Sequence, residues 1–414
     1  MSTPSPTSRP ALLPLDDALA RLRDAVSPLP ATEVQTVSTF DGLGRVLARD
    51  VVALVDVPPA DNSAMDGYAM RRADVPAAGT VLPVSQRVAA GHVGAALQPG
   101  TAARIFTGAP VPHGADAVVM QEQCEALDGA VRVGIVPDAG LAIRRRGEDV
   151  RRDSVVLPAG TRLTPQALGL AASVGAASLD VVRRPRVALF STGDELAMPG
   201  EALKPGAIYN SNRFTLRALI QAMGAECTDL GIVPDRLDAT RDALRRAAVG
   251  HDLIVTSGGV SVGEEDHLRP AVLAEGALDL WQLAVKPGKP LAFGSVRRAG
   301  GGNAWFIGLP GNPVSSFVTF LLAARPVLRR LQGASADLPA PLMLPAHFDW
   351  PADRRREFLR VRRNAEGGLD LFTNQGSGVL TSAVWGDGLV DNPAQTAIRQ
   401  GDTVRYVPFS EWFA

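Results

Sequence analysis

Cysteine is nearly absent: Cys124 and Cys227 are the only two in 414 residues. Neither a disulfide framework nor a thiolate zinc cluster can be built from so few, and a reducing compartment is expected. An excess of charge is missing too. The chain sets 42 Lys and Arg against 43 Asp and Glu, a formal net charge of −1, which leaves no global field to draw nucleic acid or an anionic membrane. Any anion site must therefore be local. The most apolar stretches, 167–182 and 317–328, are short, rich in alanine or interrupted by Asp180 and Arg325, and fall below spanning length. Residues 1–17 hold several prolines and two aspartates but no apolar core or small-residue cleavage site, so export is not expected. A soluble, cytoplasmic protein that binds neither nucleic acid nor membrane follows. Histidine is scarce, with five residues at no metal-ligand spacing. A GxxxxGK(S/T) loop, a GxGxxG turn after a strand and a Ser/His/Asp or Cys/His constellation are all missing, which argues against P-loop, dinucleotide-binding and nucleophilic-triad enzymes.

What is present is a succession of textures too long for one core. Leu15, Leu19, Leu22 and Val26 recur at helical spacing with Asp16 and Asp17 near the start, which predicts a first helix over 14–26. From 42 to 158, short Val-rich runs broken by Gly and Pro predict a β-rich domain. Thr164 as N-cap and Pro165 at the first position open a helix over 164–174. Beyond it, strands at 186–190, 227–233 and 252–256 alternate with helices at 212–223 and 237–249, the pattern of a parallel sheet covered on both faces. Asn312 and Pro313 open a long helix running to Leu331. Residues 333–341 read as a linker and 343–414 as a small β-barrel or sandwich.

Three predicted strand ends run into small-residue turns: Ser191-Thr192-Gly193-Asp194-Glu195, Ser257-Gly258-Gly259-Val260-Ser261 and Gly308-Leu309-Pro310-Gly311-Asn312-Pro313. In a parallel sheet these turns share the carboxyl edge, where open α/β folds bind ligands. Glycine admits backbone N–H groups to a phosphate, and a helix start after Asn312 adds about half a positive charge. Lys286-Pro287-Gly288-Lys289-Pro290 supplies cations on a proline-stiffened loop, so Lys286 and Lys289 are expected to converge on one anion. Acids stand in turns at Asp61, Asp66, Asp149, Asp194, Glu195, Asp235, Glu264, Glu265 and Asp266. Such hard oxygens suit Mg²⁺ shared with ligand phosphates, although Asp235 equally suits a helix cap and Glu264 and Glu265 a solvated surface. Arg144, Arg145 and Arg146 read either as a solvated run or as a basic site beside Gly147-Glu148-Asp149.

Taken in order, Asp61-Asn62-Ser63-Ala64-Met65-Asp66-Gly67-Tyr68-Ala69, Ile105-Phe106-Thr107-Gly108-Ala109-Pro110, Ser191-Thr192-Gly193-Asp194-Glu195-Leu196, Ser257-Gly258-Gly259-Val260-Ser261-Val262-Gly263 and Gly308-Leu309-Pro310-Gly311-Asn312-Pro313 resemble the molybdopterin molybdenumtransferase family, which includes the C-terminal domain of gephyrin. The resemblance covers nearly the whole chain. It implies an α/β multidomain protein: a discontinuous helical linker domain (10–50 with 147–180), a β-rich domain (51–146), an α/β parallel-sheet molybdopterin-binding domain (181–332) and a C-terminal small β-barrel (333–414). It also implies a homodimer whose cleft lies between the α/β domain of one subunit and the β-rich domain of the other. The implied reaction inserts molybdate into adenylylated molybdopterin and releases AMP, giving molybdenum cofactor. Transient contact with a molybdopterin adenylyltransferase and with acceptor molybdoenzymes would accompany it. Together with the residue reading, the motifs give Asp66, Glu195, Asp266 and Lys286 as catalytic and Asp266 and Glu195 as Mg²⁺ ligands. Thr107, Arg144, Asp149, Thr192, Gly193, Asp235, Ser257, Gly258, Gly259, Ser261, Lys289, Pro310, Gly311, Asn312 and Pro313 are the expected substrate contacts. The chain departs from some bacterial relatives at Gln282, where a neutral amide replaces a second lysine. Two other readings are the adenylyltransferase, which would not need the Asp66 segment or the C-terminal β module, and a gephyrin-like scaffold without turnover.

Overall fold

A computed structural model describes residues 12–259 and 267–413. The chain divides into two units, one of Thr36–Val181 and one of the residues up to Gln35 with those from Val182 onward.

The Val-rich runs of the first unit form a six-stranded sheet in the order Ala117–Met120, Gly67–Met70, Ala102–Ile105, Thr80–Val88, Ala130–Val133, Cys124–Leu127. Successive side chains point to opposite faces of a strand, and here both faces are covered. Tyr68, Met70, Ala102 and Val119 pack on one side, and Ala69, Ala103, Ile105 and Val118 on the other. Gly67 sits where its strand presses on a neighbour, because a Cβ there would overlap the Val119 carbonyl oxygen. That close approach fixes where Asp66, one residue earlier, leaves the sheet. A separate cluster in the same unit gathers Leu47, Ala53, Leu163, Ala171, Leu179 and Val181 around the helix Pro165–Ser173, whose Thr164 side chain accepts from Ala167 N–H as an N-cap.

The second unit begins with helix α1 (Leu15–Ala25). Its apolar stripe Leu15, Ala18 and Leu22 packs into the same core as Val187, Leu219 and Leu328. The segment 10–50, expected whole in the linker domain, is therefore divided between the units at Gln35; the α1 stripe finds its apolar partners among residues beyond 182. Next come β1 (Arg186–Thr192), α2 (Ser211–Ala222), β2 (Glu226–Val233), α3 (Leu237–Ala248), β3 (Leu253–Ser257), α4 (Leu268–Glu275), β4 (Gly276–Gln282), β5 (Pro290–Arg297) and β6 (Asn303–Leu309). They build one sheet in the order β2-β1-β3-β6-β5-β4. The first four strands are parallel, as the alternation predicts, and β5 and β4 extend that sheet as an antiparallel pair. Val187 and Leu189 of β1 face one core with Leu216 and Ile220 of α2, while Ala188 and Phe190 face another with Ala243 and Leu244 of α3, so helices cover both faces.

The long helix predicted from Asn312 to Leu331 is interrupted: α5 (Pro313–Thr319) passes through a π-helical segment, Phe320–Ala324, into α6 (Arg325–Leu331). Pro326 has no N–H for the Leu322 carbonyl and its ring crowds that oxygen, and the wider turn immediately before it accommodates the defect. Residues 342–408 contribute five strands of a further six-stranded sheet, and the sixth, Val285–Lys286, comes from the lysine loop and pairs with Arg356–Glu357.

Candidate functional site

Strands β1, β3 and β6 end side by side, with Ser191 opposite Ser257 and Ser257 opposite Leu309. The small-residue turns beyond them meet at Gly258, whose φ is +90° and whose N–H donates to the Leu309 carbonyl at 3.1 Å. A Cβ on Gly258 would lie 2.9 Å from the Thr192 carbonyl oxygen, so only glycine lets the turns close up. They surround a cavity of about 470 Å³ lined by Thr192, Glu195, Ser257, Gly258, Gly259, Pro310, Gly311 and Asn312. All eight stand among the residues expected to contact ligand or metal. Gly193 lies in the same turn as Glu195, close enough that a side chain on it would overlap the Glu195 carboxylate.

Sequence reading missed Leu196, Ile208, Asn210, Asn212, Pro290 and Ser315, which also line the cavity. Asn210 is 2 % exposed, and its Oδ1 accepts from Arg213 N–H as the cap of α2. Among the described residues its buried Nδ2 has no partner. An unpaired buried amide is costly, so this N–H is a donor available to a ligand. The signal was present in Asn210-Ser211-Asn212 as a helix N-cap, but the predicted helix began two residues later.

The cations are arranged differently from the expectation. Lys286 Nζ lies 3.1 Å from Asp353 and 2.9 Å from Glu357, and Asp353 also pairs with Arg355 at 3.3 Å. Two cations thus face two carboxylates. Burial would lower the Lys286 pKa, but Glu357 and Asp353 outweigh it and hold the ammonium above its ordinary value. Lys289 is half-buried on the same loop. The start of α5 is also engaged: Pro313 has no N–H, and the amides of Val314 and Ser315 donate to the Ser377 carbonyl at 2.9 and 3.4 Å. The amides that a helix start normally offers an anion are spoken for at those positions.

Asp235 lies just after β2, and its N–H donates to Asp194 Oδ1 at 3.1 Å, which joins that turn to the one after β1 without placing Asp235 on the cavity wall. Asp266 and Ser261 lie outside the described residues. Among the described residues, no three His, Cys, Asp or Glu gather to hold a metal.

Asp66, Thr107, Arg144 and Asp149 belong to the first unit. Gly67 pairs with Ile105, so the chain after Ile105 turns back over Asp66. Thr107 donates both its N–H, at 2.8 Å, and its hydroxyl, at 2.7 Å, to Asp66 Oδ1. The backbone bond first and the hydroxyl second hold this exposed carboxyl below the usual carboxylate range. The arginine run separates by function: Arg145 pairs with Asp61 at 2.7 Å and Arg146 with Asp56 at 2.5 Å, while Arg144 sits opposite Asn62 in a two-stranded ladder with its side chain exposed. Asp149 is exposed, and its N–H donates to the Val57 carbonyl.

Family models match three stretches of the chain: the MoeA N-terminal region (domain I and II) over residues 13–175, a probable molybdopterin binding domain over 188–330 and the MoeA C-terminal region (domain IV) over 343–409. A molybdopterin molybdenumtransferase of Haemophilus influenzae is 36 % identical over 412 residues, covering 96 % of this chain and 99 % of its own. Molybdopterin molybdenumtransferase 2 of Mycobacterium tuberculosis is 39 % identical over 378 residues, covering 86 % and 90 %. The crystal structure of a molybdopterin biosynthesis moeA protein from Pyrococcus horikoshii superposes with a TM-score of 0.83 at 28 % identity, over 96 % of this chain and 100 % of that one.

Proposed function

Because the chain belongs to the molybdopterin molybdenumtransferase family, we propose that its glycine-lined crevice binds adenylylated molybdopterin, and that molybdate enters the pterin dithiolene as AMP is released. The observation that carries this reading is the meeting of three strand-end turns at Gly258 around a cavity of about 470 Å³, the place where open α/β sheets bind ligands. Apart from Glu195 the walls are uncharged, with Leu196, Ile208, Pro290 and Pro310 interleaved among amide and hydroxyl groups, which suits a flat ring system held at its edges by directed hydrogen bonds. Asn210 Nδ2, Thr192, Ser257 and the Gly258-Gly259 backbone are the groups proposed to orient it, with Pro310 and Pro290 closing the sides and Lys289 supplying positive charge. The sulfurs for molybdenum come from the pterin, so the scarcity of cysteine is no obstacle.

Glu195 presents a hard carboxylate on the cavity wall. That fits Mg²⁺, which takes one or two carboxylates and completes its shell with water and ligand phosphates. Glu195 and Asp266 would hold the ion, which when bound supplies charge to the phosphates. Asp66 is kept ionised and aimed by Thr107, so its role in the proposal is to position molybdate or a water at the adenylate bond. Arg144, Asp149 and Asp235 are proposed as further substrate contacts and Lys286 as the residue that stiffens the loop carrying Lys289. A homodimer acting in the cytoplasm, in transient contact with the adenylyltransferase and with acceptor molybdoenzymes, completes the reading.

The experiment is direct: purified protein is given adenylylated molybdopterin with Mg²⁺, and AMP is measured before and after molybdate is added. AMP should appear on addition, mole for mole with molybdenum-loaded pterin. Consumption of ATP with unadenylylated pterin would favour the adenylyltransferase instead, and binding without AMP release would favour a scaffold.

A further inference from the structure

In the sheet of the first unit, Arg87 and Arg104 stand directly opposite each other on the paired strands Thr80–Val88 and Ala102–Ile105. Like charges in register destabilise a strand pair, so their juxtaposition needs a compensating partner. The structure supplies aromatic rings and, beyond ion-pair distance, the Asp66 carboxylate, which the Arg104 charge helps to hold below its usual range. The guanidinium carbons of Arg87 and Arg104 each lie 4.6 Å from the Phe106 ring centroid, and Arg104 is also 5.2 Å from Tyr68. Arg104 spends two N–H groups on neutral acceptors, the Gly67 carbonyl at 2.8 Å and Gln121 Oε1 at 2.6 Å. Arg87 is exposed, and among the described residues neither arginine has a carboxylate within ion-pair distance. Stacking on a ring holds a guanidinium flat and leaves its N–H edge outward, ready for a planar or tetrahedral oxyanion.

The stack is wired to Asp66. Phe106 immediately precedes Thr107, which grips the Asp66 carboxylate, and Gln121, which accepts from Arg104, donates its own N–H to the Asp66 carbonyl at 3.0 Å. We propose that Arg87 and Arg104, mounted on Phe106, form a docking site for a tetrahedral oxyanion of two negative charges, and that its occupant is free molybdate held beside Asp66 before insertion. Two cations match a dianion, while the nearby Asp66 carboxylate opposes tight retention, as befits a substrate that must leave. The inference rests on the proposed function for the identity of the anion. The same chemistry would also recognise a phosphate of the pterin nucleotide, so the test separates the two sources.

Full-length protein is dialysed to equilibrium against molybdate alone, and in a second arm against AMP alone, with no pterin in either. Arg87→Gln removes an exposed cation and should weaken molybdate retention about tenfold, the loss expected for one charge-assisted contact, and leave AMP retention unchanged. Phe106→Leu, which keeps both charges but removes their platform, should weaken it in the same direction. Arg132→Gln deletes the same charge elsewhere in the sheet, where Arg132 pairs with Glu125, and should have no effect. Equal molybdate retention by Arg87→Gln and the parent chain overturns the proposal. So does an equal loss in Arg132→Gln, which would reveal a diffuse field, or a loss confined to AMP, which would assign the stack to the nucleotide. Since neither arm contains pterin, absence of AMP release in the turnover assay leaves this result readable by itself.

Discussion

Replacing Gly288 by alanine probes whether the lysine loop must lie flat against α5 for the crevice to exist. Gly288 has φ +109°, a conformation that costs a residue with a Cβ about 1–3 kcal/mol. A methyl there would also overlap Thr319 Oγ1 and touch the Ser315 carbonyl oxygen at 3.5 Å. Thr319 is wholly buried and cannot swing aside, so overpacking adds roughly 1–3 kcal/mol. The variant should therefore lose about 2–5 kcal/mol, or relieve the strain by lifting the loop and moving Pro290 off the cavity wall. Thr319 Oγ1 has no hydrogen-bond partner among the described residues, so Thr319→Ala removes the obstruction and by itself should shift stability by no more than about 1 kcal/mol. The double variant should regain the overpacking share and keep the backbone share, a coupling of roughly 1–3 kcal/mol. All five tryptophans, Trp281, Trp305, Trp350, Trp385 and Trp412, lie beyond residue 182, so urea unfolding monitored by tryptophan fluorescence reports this unit selectively. Binding of the adenylylated pterin is measured alongside. A Gly288→Ala protein that unfolds at the parent's urea concentration and binds normally refutes the reasoning, as does a double variant no better than the single.

Three further outcomes rest on groups already placed. Asp66→Ala should fold and bind adenylylated molybdopterin yet fail to release AMP on addition of molybdate; parent-like turnover removes Asp66 from the mechanism. Asp252 is buried and holds Arg183 at 2.6 and 2.8 Å while accepting from Arg186 N–H at 2.7 Å, so Asp252→Asn leaves the Arg183 guanidinium with Glu33 as its remaining counter-charge. A loss of about 1.5–3 kcal/mol is expected, and a urea midpoint within error of the parent's contradicts it. Burial pushes both cysteine thiols, Cys124 and Cys227, up to about 11 from 9.0. A folded-state pKa raised in this way favours the protonated thiol, so the stabilisation is complete below pH 9 and is lost as pH climbs toward 11. Iodoacetamide at pH 8 should alkylate either thiol about a hundredfold more slowly in the folded protein than in urea, and equal rates would show the thiols to be accessible and unshifted.

The crevice was legible in the sequence because its chemistry is local. An apolar run that ends in Thr-Gly, Ser-Gly-Gly or Pro-Gly-Asn announces both a strand and the turn after it, and those turns supply eight of the wall residues. The cation arrangement was not legible. Lys286 meets Asp353 and Glu357 through pairing of Val285–Lys286 with a strand some 70 residues downstream, and nothing in Lys286-Pro287-Gly288-Lys289-Pro290 announces that. The Ser377 carbonyl that caps α5 is equally remote. Strands β4 and β5 escaped notice because Gly276, Pro290 and Gly294 dilute their β pattern, and α1 changed unit because an amphipathic stripe states that it needs a partner without stating which.

Those remote contacts change where attraction for an anion resides. Around Lys286 the positive charges of Lys286 and Arg355 are matched by Asp353 and Glu357, a group with no net charge and little reach through water. The α5 amides at Val314 and Ser315 are already bonded. The crevice is thus equipped to orient a ligand by neutral hydrogen bonds, with Lys289 the one cation proposed to draw it in. Guanidinium groups that, among the described residues, are in no ion pair stand instead in the first unit, at Arg87 and Arg104, near the Asp66 carboxylate that Thr107 holds ionised. If orientation and capture are divided in this way, raising salt should weaken retention of molybdate far more than retention of AMP, since screening acts on exposed charge and spares directed hydrogen bonds. Parallel dialysis at about 0.02 and 0.2 M salt measures both, and equal losses for the two ligands would mean that capture and orientation draw on the same groups.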